Sequence, residues 1–418
     1  MKHSLLSLAC WVLLSAQAFA QVAITSRRAE PGFTLEEAVR RSLRFNPEIA
    51  KLDRDLADKL GRAIETGVKL NPSFKFTAGR IEEGDREGSA FEFEIEQPVR
   101  PSDFGLRKTY ASALRVTADV QQQAEILRLL NGTAMTFYRA WSLQERASLL
   151  DSARGQAGDA LAMIQQQLEA GQSNISQRNI FEAEAARFSA ELLAVRGESA
   201  GAMAELERAT GTRLTGIALV RPTFPAVPGT GALTAFAENR AGIRRIALAQ
   251  RNAAARGLAV AEADAVFPEF GPGILASRSN HNDETGVAFT LIGRIPLWDR
   301  NQGEIVRARG ALDAAERELQ SFDRVSLERS ISLRRQQLLN LQARASAYRD
   351  QVIPAYRAAY DSTLEQFRAG QASTLLLFEV QRSLVDAQEK SFEYAVEALS
   401  ARTQLEQLIG GRLEEVSK

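Results

Sequence analysis

Residues 287–305 read VAFTLIGRIPLWDRNQGEI, and the rest of the chain is organised around them. In its first half Val287, Phe289 and Leu291 are apolar, and the residues between them would point to the opposite face of a β-strand. After Pro296 the pattern changes to a long polar segment rich in alanine and glutamine, which is typical of a helix. The stretch therefore predicts a strand that leads directly into a helix.

An earlier copy of this pattern lies at residues 91–99, which read FEFEIEQPV. Its apolar residues alternate strictly with Glu92, Glu94 and Glu96 before Pro98. One face of such a strand suits lipid or a protein core, and the other suits water.

The two copies belong to a tandem duplication of the chain. Pro98 and Pro296 lie 198 residues apart, and the tip glycines Gly171 and Gly370 lie 199 residues apart. The predicted organisation is a signal peptide (1–20), a first repeat (21–215) with strands at 73–80 and 90–97 and a hairpin tip at 170–173, a linker (216–231), a second repeat (232–411) with strands at 269–277 and 287–295 and a tip at 369–373, and a C-terminal tail (412–418).

The N-terminus has the pattern of a secretory signal peptide. A short basic start and an apolar segment precede Ala18-Phe19-Ala20, so we expect cleavage between Ala20 and Gln21. Cys10 leaves lipidation open as an alternative, which Ser7 disfavours. The sequence after residue 20 contains no apolar run of about twenty residues, so we expect an exported protein without a transmembrane helix.

The charge composition argues against binding to nucleic acid. The chain has 52 lysines and arginines against 52 aspartates and glutamates. We find no basic cluster interleaved with aromatic residues, which nucleic-acid-binding proteins use.

The sequence predicts one long helix over residues 104–170 and another over 302–369. After each long helix the chain turns at a tip, and a second helix runs back alongside the first. At a rise of ~1.5 Å per residue, the first would span roughly 100 Å, far more than a globular domain needs. The fold class is mainly α with a small β part: long tandem helical hairpins and four strands per chain. Four strands cannot close a membrane barrel, since the smallest single-chain barrels have about eight. Three chains would supply roughly twelve strands, and twelve long helices would continue the barrel as a tube.

The duplicated order, the joints EQPV (96–99) and GRIPLWDRNQGEI (293–305) and the two Ala-Gly-Gln tips resemble the TolC-type outer-membrane efflux proteins. The second joint is most similar to the CzcC-like branch, which serves heavy-metal resistance. The resemblance implies a homotrimer, a twelve-stranded barrel in outer-membrane lipid, a periplasmic helical tunnel, a periplasmic adaptor and an inner-membrane proton-driven pump of the resistance-nodulation-division (RND) class.

The resemblance also implies functional residues. The adaptor-docking residues would be those of the two tips: Ala170, Gly171, Gln172, Ser173, Ala369, Gly370, Gln371, Ala372 and Ser373. Some family members carry acidic rings nine and six residues after the second tip glycine. Here those positions hold Glu379 and Leu376, so Glu379 is the candidate for a periplasmic gate ring, with a solvated helix residue as the equal alternative.

The barrel lumen would carry the charged residues of the water-facing strand faces. The candidates are Lys75, Glu92, Glu94, Glu96 and Arg294. Glutamates could attract cations there, although any water-facing strand needs polar residues.

Other function classes have little support in the sequence. After residue 20 the chain holds one histidine, His281, and no cysteine, so we expect no enzyme, no cofactor and no metal site. A coiled-coil scaffold would explain the long helices, but it would not explain the two hairpins with one lipid-suited face. Heavy-metal cations (cobalt, nickel, zinc or cadmium) are the expected cargo, and organic solutes or drugs are the alternative. Whether the resting entrance is closed stays open.

Overall fold

The computed structural model describes residues 32–83, 86–171, 174–240, 242–266, 269–280 and 284–416. The predicted signal peptide with its cleavage site between Ala20 and Gln21, and the tip residues Gln172 and Ser173, lie outside these ranges, as does His281.

Within its described residues, the first repeat has two strands, four α-helices and a short 3₁₀ helix. Its elements are α1 (Leu35–Phe45), α2 (Pro47–Gly67), β1 (Ser73–Glu83), β2 (Arg86–Glu96), a short 3₁₀ helix (Pro101–Phe104), α3 (Leu106–Glu169) and α4 (Ile175–Thr210). The glycines within α3 do not break it, so one helix of 64 residues runs from the strands to the first tip.

The second repeat follows the same plan with more interruptions. Its elements are α5 (Thr230–Asn239), α6 (Ile243–Val266), β3 (Phe270–Ser279), β4 (Glu284–Gly293), α7 (Gln302–Ser321), α8 (Arg324–Ala347), a π-helical turn (Tyr348–Val352), α9 (Ile353–Arg368), α10 (Thr374–Ile409) and α11 (Leu413–Val416).

The prediction of one helix over 302–369 was wrong at two points. The first break lies between α7 and α8, where Asp323 Oδ1 accepts a hydrogen bond of 2.7 Å from the backbone N–H of Ser326 and starts a new helix. The second is the π-helical turn, where the N–H of Ile353 bonds to the carbonyl of Tyr348, five residues back. Pro354 follows at once and has no N–H to donate, which accounts for the local change of helix type.

The four strands form one antiparallel sheet in the order β1-β2-β3-β4. Phe76 pairs with Phe93, Ile95 with Ile274, and Ile274 with Phe289 across the three strand pairs. Pairing continues out to Glu83 and Arg86 in the first hairpin, so β1 and β2 are longer than the predicted strands 73–80 and 90–97 and extend into the segment between them.

The helices repeat the order of the strands. Next to the sheet they pack in the row α2-α3-α6-α7, and toward the tips α3 packs between α4 and α10, with α8 and α9 beyond α10. Within the described ranges, every helix is too short or too polar to cross a lipid bilayer.

The core lies between helices rather than in a globular centre. The heptad residues of α4, Phe181, Phe188, Val195 and Ala202, are all buried, as the seven-residue spacing predicts. Phe188 and Val195 share one cluster with Phe137 and Trp141 of α3, whereas Phe181 belongs to a second cluster near the tips.

The last long helices of the two predicted repeats end in the same way. α4 ends at Gly211 and α10 at Gly410, both in the left-handed conformation. A glutamate one turn before each glycine accepts a hydrogen bond from the N–H of a leucine after the glycine. Glu207 accepts from Leu214 at 2.6 Å, and Glu406 accepts from Leu413 at 3.1 Å. These equivalent bonds lie 199 residues apart.

Candidate functional site

One face of the sheet is apolar and exposed. Its large apolar side chains are all exposed, and they are Phe74, Phe76, Phe91, Phe93, Ile95, Ile274, Val287, Phe289 and Leu291. Phe289 is 89% exposed, and Phe74 stacks on Phe93 across the strand pair. A continuous apolar face of this kind would be unstable in water, so it marks a surface that meets lipid or protein.

The opposite face carries Lys75 and the three glutamates of β2, whereas Arg80 and Arg278 lie on the apolar face toward the hairpin turns. Lys75 pairs with Glu94 across β1 and β2, and Thr77 pairs with Glu92, so these side chains share one face with Glu96. Arg294 is exposed and lies one residue beyond β4, where its N–H donates to the carbonyl of Glu269 at 3.3 Å. Of the predicted lumen residues, four therefore lie on one sheet face, and Arg294 lies outside the strand.

Two glycines of β3 allow side chains to cross that polar face. A Cβ atom on Gly271 would lie 1.8 Å from Oε1 of Glu96, and one on Gly273 would lie 2.5 Å from Oγ1 of Thr290. The Glu96 carboxylate therefore rests directly on the backbone of the neighbouring strand. Sequence reasoning missed this contact because it depends on the register between the two repeats.

Between the ends of β2 and β4 and the α-helices that follow, the two joints comprise residues 97–105 and 294–301 in the structure. The second joint is fixed by its own side chains: Gln302 Nε2 donates to the carbonyl of Trp298 at 3.1 Å, and Asp299 Oδ1 accepts from the N–H of Asn301 at 3.0 Å. Asn301 has a φ of 57°, and its Nδ2 donates to the carbonyl of Ala261 on α6. With the backbone held by these hydrogen bonds, the Trp298 side chain is 87% exposed.

Both hairpin tips turn at a glycine. Gly171 and Gly370 each have a φ of 73°, a left-handed conformation that favours glycine. The N–H of Gly171 donates to Leu168 and that of Gly370 to Phe367, each at 3.0 Å. Ala170, Ala369, Gln371 and Ser373 are exposed, and Ala372 is half-buried.

The returning helix at each tip starts with a side-chain cap. Asn174 Oδ1 accepts from the N–H of Gln177 at 3.0 Å, and Ser373 Oγ accepts from the N–H of Leu376 at 3.2 Å. Apolar residues next to the caps are exposed, namely Ile175 in the first hairpin and Leu375 with Leu376 in the second. Each tip thus has an exposed apolar residue beside its glycine turn.

Comparison with known proteins identifies the fold. The outer membrane protein VceC of Vibrio cholerae matches with a TM-score of 0.75 and 16% identity, over 91% of this chain and 96% of VceC. The CusC channel matches with a TM-score of 0.70 and 15% identity, over 93% of this chain and 96% of CusC. This chain therefore has the TolC-type fold of these outer-membrane proteins.

At the level of sequence the relationship is distant. No family model matches the chain. The cobalt-zinc-cadmium resistance protein CzcC of Cupriavidus metallidurans is 24% identical over 144 residues. That stretch spans about a third of each protein, 34% of this chain and 34% of CzcC. The outer-membrane channel OprN, with a TM-score of 0.73 and 16% identity over 91% of this chain and 90% of OprN, adds a further structure with the TolC-type fold.

Glu379 lies in the second turn of α10, close to the tip of this TolC-type hairpin. Its side chain is exposed, and the described residues give it no ion pair. Its counterpart in the first repeat, 199 residues earlier, is the exposed Ile180. The position nine residues after the tip glycine is therefore acidic in the second hairpin and apolar in the first.

Among the described residues of this TolC-type chain, no group of three or more His, Cys, Asp or Glu side chains is arranged to hold a metal ion. His281 lies outside those residues.

Proposed function

We propose that this chain is the outer-membrane channel of a tripartite RND efflux system and conducts its substrate passively to the cell exterior. The carrying observation is the exposed apolar sheet face, which belongs to a chain of TolC-type fold and has charged residues on its other face. Such a sheet suits a wall between lipid and an aqueous lumen. The long hairpins would extend this wall through the periplasm.

The channel would be a homotrimer. The sheet has free edges at β1 and β4, and open edges are excluded from lipid because their backbone groups have no partners there. Three four-stranded sheets joined edge to edge would give the expected twelve-stranded barrel. The row of helices has its own ends at α2 and α7, which follow the same order as the strands.

The tips would dock a periplasmic adaptor that links the channel to an inner-membrane proton-driven pump. The exposed side chains of Ile175, Leu375 and Leu376 beside the glycine turns support this role, since exposed apolar residues are suited to protein contacts. Of the predicted docking residues, Ala170, Gly171 and 369–373 lie in these turns.

Heavy-metal cations are the proposed cargo, and cobalt, nickel, zinc and cadmium are the candidates. The sequence similarity to CzcC supports this choice over organic solutes or drugs, which remain the alternative. A duct does not need a metal site, since tight ligation would hold the ion instead of releasing it. The carboxylates Glu92, Glu94 and Glu96 would favour cations in the lumen.

Glu379 is the proposed gate residue. In a trimer three copies would face one axis if α10 lines the pore, and three carboxylates at close range would select cations. The structure offers a matched control on the other helix of the same hairpin, the exposed Glu365 of α9.

The test is the survival of a deletion strain on a panel of divalent and monovalent metals, dyes, detergents and antibiotics. Sensitivity confined to some divalent metals, rescued by the wild-type chain, is the expected result. Sensitivity only to organic compounds would overturn the metal assignment and keep the channel. Complementation with Glu379→Gln and Glu365→Gln then tests the gate: a changed metal tolerance in the first alone is expected, whereas equal behaviour of both variants would contradict the gate assignment.

A further inference from the structure

The interface between α3 and α6 joins the two repeats within one chain. Tyr110 of α3 lies across Gly257 of α6, because a Cβ atom on Gly257 would come within 3.1 Å of the tyrosine ring. Further along, Thr117 donates to the carbonyl of Ala249 at 3.1 Å, so the two helices run antiparallel. Val260 of α6 is buried close to Gly257. A large side chain thus faces a glycine, which lets the helix backbones approach closely.

The equivalent positions lie on the two helices that end the row. Gly61 of α2 lies 196 residues before Gly257, and Val306 of α7 lies 196 residues after Tyr110. A large apolar side chain on one end of the row therefore corresponds to the tyrosine, and a glycine on the other end corresponds to the glycine.

The offset of 196 residues is set by the structure of the repeats. It separates the first residues of α2 and α6, Pro47 and Ile243. It also separates the N-cap residues of α3 and α7, Gly105 and Asn301, both of which have a positive φ. In this part of the repeats the same offset therefore relates both members of the helix pair.

At the ends of the row these positions are exposed. Val306 is 71% exposed, and a Cβ atom on Gly61 would meet open space. Ile64, the equivalent of the buried Val260, is 51% exposed. The apolar positions that are covered between the two repeats of one chain are thus uncovered at both of its ends.

Opposite charges continue the match along the same helices. Arg54 lies seven residues before Gly61, and Asp313 lies seven residues after Val306, which is close to two helical turns in each case. Since α2 leads into the sheet and α7 leaves it, the two helices of adjoining copies would run antiparallel. Arg54 and Asp313 would then face each other whenever Val306 lies over Gly61. Both side chains are exposed, and within the described ranges neither has an ion pair.

The interface within the chain has its charged pair at a different place. Arg107 Nη2 donates to Oδ2 of Asp264 at 2.6 Å. The equivalent positions at the ends of the row, Gly303 and Val68, carry no charge. The position of the charged pair therefore distinguishes an interface between two copies from the interface within one copy, so that each helix has one matching partner.

We infer that Val306 of one copy packs over Gly61 of the next copy, and that Asp313 of the first pairs with Arg54 of the second. Each copy offers one α7 and one α2, so the contact is head-to-tail and can close a ring. Lipid or an unrelated protein at these edges would not require matched positions on the two ends of the row. The inference rests on the proposed homotrimer, and it adds the side chains that set the register between copies.

The test is disulfide cross-linking of the full chain in isolated outer membranes. Gly61→Cys and Val306→Cys are combined, and Cys10→Ser is included so that only these two thiols are present. Oxidation should shift the chain to a covalent species of three chains on a denaturing gel without reductant. Gly61→Cys with Asp313→Cys is the register control, because the second cysteine moves by about 10 Å along α7. That displacement exceeds the reach of a disulfide, so the control should stay as single chains.

An exchange of charges tests the ion pair independently. Arg54→Asp alone and Asp313→Arg alone each place like charges opposite each other, so each should lower the fraction of trimer that is extracted in mild detergent. The two changes together should restore that fraction. A double variant that stays as low as the single ones would overturn the pairing of Arg54 with Asp313.

The cross-linking outcomes separate the inference from the homotrimer on which it rests. Light scattering of the wild-type chain in detergent gives the mass of the assembly. A mass of three chains without the Gly61→Cys and Val306→Cys cross-link, or with cross-linking of the register control in its place, would overturn the inference and keep the homotrimer. A mass of one chain would overturn the homotrimer together with the inference.

Discussion

Replacing Arg402 by methionine should destabilise the chain by about 3–5 kcal/mol, the effect of removing one partner from a buried ion pair. Arg402 is 4% exposed on α10, and its Nε donates to Oε1 of Glu406, also 4% exposed, at 3.0 Å. It also contacts Glu414 of α11. Without the guanidinium, the Glu406 carboxylate would be buried with the N–H of Leu413 as its remaining described hydrogen-bond donor.

The first repeat explains why the arginine is needed. Its equivalent of Glu406 is Glu207, which also accepts from a leucine N–H, but the residue equivalent to Arg402 is Met203. Glu207 is half-exposed, so water stabilises its charge. Arg402→Met would give the second repeat the side-chain pair of the first in a site that excludes water.

The effect should depend on pH. Burial already raises the pKa of Glu406, and the Arg402 charge opposes that shift. Loss of the arginine raises the folded-state pKa further, so the folded chain of the variant takes up a proton more readily than the unfolded chain. A group with a raised folded-state pKa stabilises at low pH and loses that contribution as pH rises. The deficit of Arg402→Met against wild type should therefore be smaller at about pH 5 than at about pH 8.

Thermal unfolding of the purified protein in detergent, followed by circular dichroism, measures these differences. Arg402→Met with Glu406→Gln should recover much of the loss, because glutamine keeps an oxygen for Leu413 and carries no charge. Arg324→Met is the matched control, since Arg324 is 74% exposed and its pair with Glu238 should contribute less than about 1 kcal/mol. A deficit that is equal in both arginine variants, or equal at both pH values, would refute the reasoning.

Glycines at the tips, in α3 and in the sheet differ in backbone conformation and in the space around them. Gly171→Ala should destabilise the chain by about 1 kcal/mol because the backbone of Gly171 is left-handed. Gly158→Ala within α3 should stabilise the chain by about 0.5–1 kcal/mol, since alanine favours a helix and has open space there. The thermal midpoints of the two variants should therefore shift in opposite directions, and shifts of the same sign would contradict the prediction. Gly271→Ala should impair formation of the sheet because the added Cβ would clash with the Glu96 side chain, whereas a Cβ at Gly79 would have open space. The yield of heat-resistant assembled protein should therefore be lower for Gly271→Ala than for Gly79→Ala. Equal yields would contradict the predicted clash.

The sequence predicted the strands and their faces because alternation with a period of two is a local signal. It predicted the tips for a similar reason, since glycine marks a positive φ between two helices. The breaks at Asp323 and at the π-helical turn were missed, although an N-cap residue and Pro354 were both visible. Each is one local signal inside a long helical pattern, and the pattern alone predicts a continuous helix.

Parts of the site could not be read from the sequence at all. The contact of Glu96 with Gly271 joins residues 175 positions apart, and it exists only in the register that pairs Glu96 with Gly273. The ion pair of Arg402 and Glu406 has an ordinary helical spacing, but its burial depends on how α11 packs. Local patterns give neither register nor burial.

The open edges of the sheet and its apolar face together bear on how the channel assembles. A single sheet in lipid would leave the backbone groups of β1 and β4 without partners, at several kcal/mol for each group. In water the same sheet would expose the apolar face from Phe74 to Leu291. If three copies close the proposed channel, neither solvent suits the isolated sheet, and the barrel should form as the sheets enter the membrane. The helical rows, which have buried cores within one chain, can fold before that step.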